Sequence, residues 1–354
     1  MKYNIKDIIE AIKRLADNFD KINIMEVCGT HTANIQKYGI PSILPDNIRL
    51  ISGPGCPVCV TSQEDISRAV SIADKDDVIF TCFGDMMRVP CGNKSLYSLR
   101  EGGSDIRIVT SPMDALQISL ENPQKQVVYF GIGFETTAPH TAALIEEAYK
   151  QNIKNISVLN SHKTMPPAIT SLLKNKCGID ALLCPGHVAV ITGSDAFSFI
   201  PEKLKLPAAI AGFEAYEILA AILSLLSMLK GNITECINMY PGAVTKTGNQ
   251  TALKLINSVM EPCDAVWRGL GNIPNSGLKF RYKYAAFDAS KRFKITKSIS
   301  EEPNGCLCSQ ILRGENLPFD CKHFSINCTP DNPLGPCMVS SEGSCSAYYR
   351  YKTV

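Results

Sequence analysis

Several things are scarce in this chain, and each scarcity closes off a class of function. Its 354 residues hold one tryptophan and five histidines. Lys and Arg total 36 against 34 Asp and Glu, a net charge of +2, which removes any bulk electrostatic attraction to nucleic acid. The longest apolar run, Ile218 to Leu229, is too short to span a bilayer and follows Glu214 and Glu217, so it reads as a buried core helix. The N-terminus, Met1 to Asp7, shows no apolar signal core and no cleavage site. There is no Gly-x-x-x-x-Gly-Lys-Ser/Thr phosphate loop, and Gly131-Ile132-Gly133 is only a fragment of the Gly-x-Gly-x-x-Gly dinucleotide fingerprint. A Cys-x-x-x-Cys-x-x-Cys of the radical type is also missing. Nucleotide-driven and hydride chemistry therefore have no support.

What the chain has is cysteine, fifteen in all. Six of them, Cys306, Cys308, Cys321, Cys328, Cys337 and Cys345, fall in a Gly- and Pro-rich tail without helical or strand periodicity. Such a segment is held together by what its thiols bind, and a [4Fe–4S] cluster needs four thiolates arriving from separate points. Structural disulfides are disfavoured in a reducing compartment, and zinc favours paired Cys-x-x-Cys knuckles, which the tail lacks. Spacing alone does not choose the four ligands.

Upstream, strands and helices alternate. Ile22 to Val27, Ile48 to Ser52, Val78 to Phe83, Val127 to Ile132, Ile156 to Leu159, Ala181 to Cys184 and Ala208 to Ala211 read as strands. Helices are expected at 4–20, 32–38, 63–73 and 141–150, and Asp264 to Leu270 is one more strand-like piece. This alternation predicts parallel α/β sheets. The fold expected is two Rossmann-like parallel-sheet domains around a cleft, over residues 21–111 and 112–235, plus a smaller Cys-rich iron–sulfur domain over 236–354 that carries the N-terminal helix 1–20.

Loops at the carboxyl ends of such strands hold the chemistry. Strand one ends in Cys28-Gly29-Thr30-His31 and strand two in Gly53-Pro54-Gly55-Cys56-Pro57-Val58-Cys59. Strand three ends in Phe83-Gly84-Asp85-Met86-Met87-Arg88. Further on come Gly133-Phe134-Glu135-Thr136-Thr137, Asn160-Ser161-His162-Lys163, Cys184-Pro185-Gly186-His187 and Ala211-Gly212-Phe213-Glu214. Cys56 and Cys59 form a Cys-x-x-Cys at a helix entrance, suited to a reversible disulfide or to a soft metal. Cys28 adds a third thiol, which metal binding uses and disulfide exchange does not. His31, His162 and His187 are each a ligand, a proton carrier or a histidine satisfied by backbone. Asp85, Glu135 and Glu214 either orient such groups or cap helices. Arg88 and Lys163 either bind an anion or pair with those carboxylates. Cys82, Cys91, Cys177, Cys236 and Cys263 are assigned no chemistry.

These blocks, in order over essentially the whole chain, resemble the HypD family of hydrogenase maturation (hydrogenase formation) proteins. So does the tail from Cys328-Thr329-Pro330 through Gly335-Pro336-Cys337 to Gly343-Ser344-Cys345. Cys91 stands where that family commonly has Gly. The resemblance implies a cytoplasmic, metal-binding scaffold, monomeric by itself, for the Fe(CN)2CO group of [NiFe] hydrogenases. It works with a HypC-type small chaperone that brings iron and a HypE-type cyanide donor. It also implies that Cys28, Cys56 and Cys59 line the cleft where iron and cyanide are handled; with His31, Asp85, His187 and Glu214 from the strand-end loops they make the expected site. The family's Cys-x14-Cys-x6-Cys-x16-Cys spacing falls on Cys306, Cys321, Cys328 and Cys345 as cluster ligands, with Cys308 a competing first ligand. Cys308 and Cys337 would remain as a thiol pair. The alternatives are an iron–sulfur-dependent thiol–disulfide oxidoreductase acting on a protein partner, and a zinc-stabilised binding module.

Overall fold

A computed structural model describes residues 4–174, 178–295 and 303–351. Cys177 lies outside the described residues. Strands β1 (Ile22–Glu26), β2 (Ile48–Ser52), β3 (Val78–Cys82), β4 (Ile106–Ile108), β5 (Gln126–Gly133), β6 (Ile156–His162), β7 (Ala181–Pro185), β8 (Ala208–Ala211) and β9 (Cys236–Asn238) build two sheets. One has the order β2-β1-β7-β8-β9 and the other β4-β3-β5-β6. Every pairing within them is parallel.

The apolar runs of the sequence explain both sheets. β3 and β7 are buried along their full length, as strands covered on both faces must be. Helix Gln63–Ala73 starts where Ser62 accepts the Asp65 N–H. The apolar run at 218–229 lies in helix Ala215–Lys230, with Ile218, Ile222 and Leu225 at full burial.

The strands do not divide at residue 111 as expected. After β2 the chain leaves the first sheet, builds all four strands of the second, and returns at β7. The expected break at 111/112 thus falls inside the second sheet, between β4 and β5. The boundary at 235/236 falls at the edge of the first sheet, since β9 pairs with β8. Local pattern predicts strands well, but parallel partners lie far apart in sequence: Ile24 of β1 registers with Ala181 of β7. The N-terminal helix, Ile5–Ala16, also differs from expectation. It packs on helix Ala215–Lys230 and closes the apolar layer of the first sheet through Ile8, Ile12 and Ala16, not on the cysteine tail.

The strand-like piece near 264 is one arm of an antiparallel hairpin, β10 (Met260–Trp267) and β11 (Gly271–Phe280). The hairpin packs on β6 and buries Trp267. The tail contains short helices, among them Cys308–Leu312, Pro336–Val339 and Ser344–Arg350. These pack on the first sheet's loops and helix Gly29–Lys37.

Candidate functional site

Each sheet reverses its strand order once. In the first the switch lies between β1 and β7, in the second between β3 and β5. Open α/β sheets bind ligands in the crevice outside such switch points. Here the crevices face one another. A cavity of about 240 Å³ is lined by Cys28, Gly29 and Thr30 after β1, by Pro185, His187 and Val188 around the end of β7, and by Phe134, Thr136 and Thr137 after β5. Gly55 and Pro57 after β2 and Glu342 of the tail complete it. The volume is below the range of about 300–1,000 Å³ typical of cofactor and drug sites, so it suits a metal ion with small ligands rather than a nucleotide.

Cys28 precedes helix Gly29–Lys37, and its N–H donates to Glu26 Oε2 at 3.0 Å. Glu26 also accepts the Thr32 hydroxyl, and its burial pushes the carboxyl up to about 8. Burial pushes the Cys28 thiol up to about 12, helped by the nearby Glu342 and Glu26 charges. Cys28 is therefore protonated near neutral pH and becomes a thiolate when a cation displaces its proton.

The loop after β2 lies directly against this thiol's backbone. Gly29 N–H donates to Gly55 O at 3.0 Å, and a Cβ on Gly55 would stand 2.3 Å from Cys28 N. Only glycine permits that approach. Cys56 and Cys59 form a disulfide with Cα atoms 5.2 Å apart, and Cys59 N–H donates to Cys56 Sγ at 3.2 Å. Both are buried, at 3% and 0% exposure. Cys59 Sγ lies 3.8 Å from the carbonyl oxygen of Pro336, the residue before Cys337.

The other expected site residues separate into three groups. His187 lines the cavity; its ring stacks on Phe213 at 3.9 Å, and burial lowers its pKa. His31 sits behind, fully buried, with Phe213 on one side at 4.8 Å and Nε2 donating to Gly212 O at 2.8 Å. Burial lowers it to about 4, so it is neutral. Asp85 and Glu214 stand apart from the cavity. Asp85 accepts the Ser340 hydroxyl at 3.0 Å, and Arg88 donates to Pro330 O at 3.3 Å, so the loop after β3 holds the tail in place. Glu214 is exposed and caps helix Ala215–Lys230 in a reciprocal pair with Glu217.

His162, Glu135 and Lys163 also lie outside the cavity. His162 is buried between Asn160 and Thr141, and burial lowers it to about 3. Glu135 accepts Met165 N–H at 2.9 Å, at the start of helix Met165–Leu173. Glu342 was not singled out from the sequence. It reaches the cavity across 312 residues and accepts the Thr30 hydroxyl at 2.6 Å; its place in the Ser340–Cys345 block was the only signal.

All six tail cysteines line a second, enclosed cavity, with Ile311, Phe324 and Met338 as its apolar walls. Cys308 Sγ and Cys337 Sγ approach to 2.7 Å. Leu334 N–H donates to Cys328 Sγ at 3.3 Å, the kind of contact that tunes a cluster sulfur. Among the described residues no three His, Cys, Asp or Glu side chains converge on one ion-sized point. The six sulfurs line a space of only about 10 Å³.

The comparisons with known proteins decide the family. The profile described as "HypD: Hydrogenase formation hypA family" matches residues 3–352. The chain belongs to the HypD family. It is 43% identical over 344 residues to hydrogenase maturation factor HypD of Azotobacter vinelandii, covering 95% of this chain and 91% of that one. The HypD of Cupriavidus necator is 42% identical over 340 residues, 94% of this chain and 90% of the other. A Methanocaldococcus jannaschii protein named for hydrogenase expression and formation is 43% identical over 350 residues, 99% and 98% of the two chains. Among the described residues no helix is long and apolar enough to cross a membrane.

Proposed function

We propose that this HypD-family chain is the cytoplasmic scaffold on which the Fe(CN)2CO group of [NiFe] hydrogenases is assembled. The observation that carries the reading is that Cys28 lines a small cleft between two switch points, while the Cys56–Cys59 pair stands on the adjoining loop, joined to Cys28 through Gly55 and to the thiol-rich tail through Pro336 O, 3.8 Å from Cys59 Sγ. Iron is the cargo. Cys28 binds it as thiolate, and His187 and Glu342 stand beside it to move protons.

Cyanide arrives as a thiocyanate on a HypE-type donor, and iron with a HypC-type chaperone. Release of cyanide takes two electrons. The reduced pair Cys56/Cys59 supplies them: two thiols close to a disulfide while the donor's S–CN bond breaks to a thiol and HCN. A [4Fe–4S] cluster held by Cys306, Cys321, Cys328 and Cys345 would pass electrons one at a time from an external low-potential electron donor to that disulfide, which takes up two with two protons to reopen. Cys308 and Cys337 sit in between, since Pro336 O touches Cys59 and Cys337 Sγ faces Cys308. A thiol–disulfide oxidoreductase acting on another protein would use the same Cys56–Cys59 pair; the third thiol, Cys28 on the cleft wall, is what favours iron binding over disulfide exchange.

Cys56→Ala or Cys59→Ala is expected to abolish hydrogenase maturation while iron and sulfide contents stay unchanged. Both are read by anaerobic metal analysis and a hydrogenase activity assay. Normal activity in either variant contradicts the assignment.

A further inference from the structure

A third cavity, of about 280 Å³, opens between the end of β6, the start of helix Gln63–Ala73 and the β10–β11 hairpin. Its lining is mainly polar, unlike that of the cleft. Lys163 lies at its floor, at 2% exposure, and Asp264 and Asn272 are exposed at its mouth.

Lys163 is the unusual group. A buried ammonium needs close acceptors, because loss of its water shell is expensive. The acceptors it has are distant. Ser161 Oγ is 3.5 Å away, and Asp65 Oδ2 is 3.9 Å away. Asp65 is itself engaged: Oδ2 accepts the Ser161 hydroxyl at 2.7 Å, and Oδ1 faces Arg68 at 3.5 Å. The Trp267 ring lies 5.9 Å from Nζ, and the Cys263 thiol is also near. Burial accordingly lowers the Lys163 pKa. The main chain holds the lysine in this position, since Lys163 N–H donates to Gly133 O at 2.9 Å. An acceptor oxygen entering the cavity would complete the ammonium's shell. Toward the mouth Asp264 is exposed, and on the wall Glu64 is ion-paired with Arg68.

We propose that this cavity is a binding site for a small carboxylate bearing a hydroxyl or ammonium group close to it. The carboxylate sits on Lys163, and the donor group faces Asp264. The site backs onto the cleft: Trp267 stacks on Phe134 at 5.8 Å, and Phe134 lines the cleft wall. Occupancy is thereby coupled by packing to the Cys28 cavity.

The chain's single tryptophan makes the test direct. Full-length protein is titrated with L-serine and with D-glycerate by calorimetry, and Trp267 fluorescence is followed in parallel; acetate and chloride are the controls. Saturable binding of at least one probe, with a fluorescence change, is expected. Lys163→Met, which keeps the apolar stem, should weaken it by about tenfold or more. Asn272→Phe, at the exposed mouth, should block entry without disturbing the core, and it decides the matter if the lysine variant fails to fold. The proposal is overturned if neither probe binds, if acetate binds as well as they do, or if the binding survives in Asn272→Phe.

Discussion

At the scale of single residues, the cleft is controlled by close approach and burial more than by charge. Gly55 stands where any side chain would collide with the Cys28 backbone. Gly55→Ala should destabilise the protein by about 1–3 kcal/mol, as overpacking does, and should displace Cys28. Denaturant unfolding measures the first effect and the alkylation rate of Cys28 the second; an unchanged rate would show that the two loops move independently. Burial also sets the pH response. His31 and His162 titrate at about 4 and about 3 in the folded chain, below the ordinary 6.5. At these two positions the unfolded chain binds more protons in that window, so their contribution to stability is lost as pH falls from 6.5 toward 4, while Glu26 and Glu135, raised to about 8 and about 7 by burial, contribute in the opposite direction. His31→Gln keeps a donor for Gly212 O and removes one titration. Its unfolding free energy should depend on pH less steeply, by up to about one proton, across that range. An unaltered slope would mean that His31 is charged in the fold.

At the scale of elements, the segments legible in the sequence are those whose pattern is local. Ile48–Ser52, Gln63–Ala73 and Ala208–Ala211 fall where periodicity and capping place them. The cysteine loops at strand ends were equally legible, because a Cys-x-x-Cys after an apolar run carries its own signal. Pairing was not. β1 joins β7 across a whole second sheet, and nothing in Ile22–Glu26 names that partner. For the same reason Asp85 read as a site residue, although it anchors the tail through Ser340. The N-terminal helix follows this rule too: its apolar face was plain, but its partner was not. Ile12→Ala, at full burial, should cost about 2–5 kcal/mol, read by denaturant midpoint. A cost near zero would indicate that this helix does not close the first sheet's core.

The tail supplies the sharper element-scale prediction. Its helices are short and irregularly connected, and six thiols line the space among them, so a bound group should contribute to its folding. Cys321→Ala or Cys328→Ala should lose iron and sulfide and leave the chain beyond about Pro303 sensitive to limited proteolysis, with both sheets intact. Cys308→Ala should retain iron and sulfide. Loss in Cys308→Ala with retention in Cys306→Ala would reassign the first ligand to Cys308.

At the scale of the whole molecule, two parallel sheets turn their switch points toward each other, and the tail crosses the gap. Glu342 on Thr30, Ser340 on Asp85 and Pro336 beside Cys59 fasten the thiol-rich segment to the cleft at three points. That placement lets one chain keep a metal-sized cavity, a dithiol and a six-thiol chamber in sequence. The central claim is that iron carrying cyanide and CO is built in this cleft. Infrared spectroscopy of the chain purified without oxygen together with its small chaperone tests it most directly. The account predicts bands from iron-bound cyanide and CO, absent when Cys28→Ala replaces the native chain. A complex that forms and carries iron but shows no such bands, or shows them undiminished in Cys28→Ala, would contradict it.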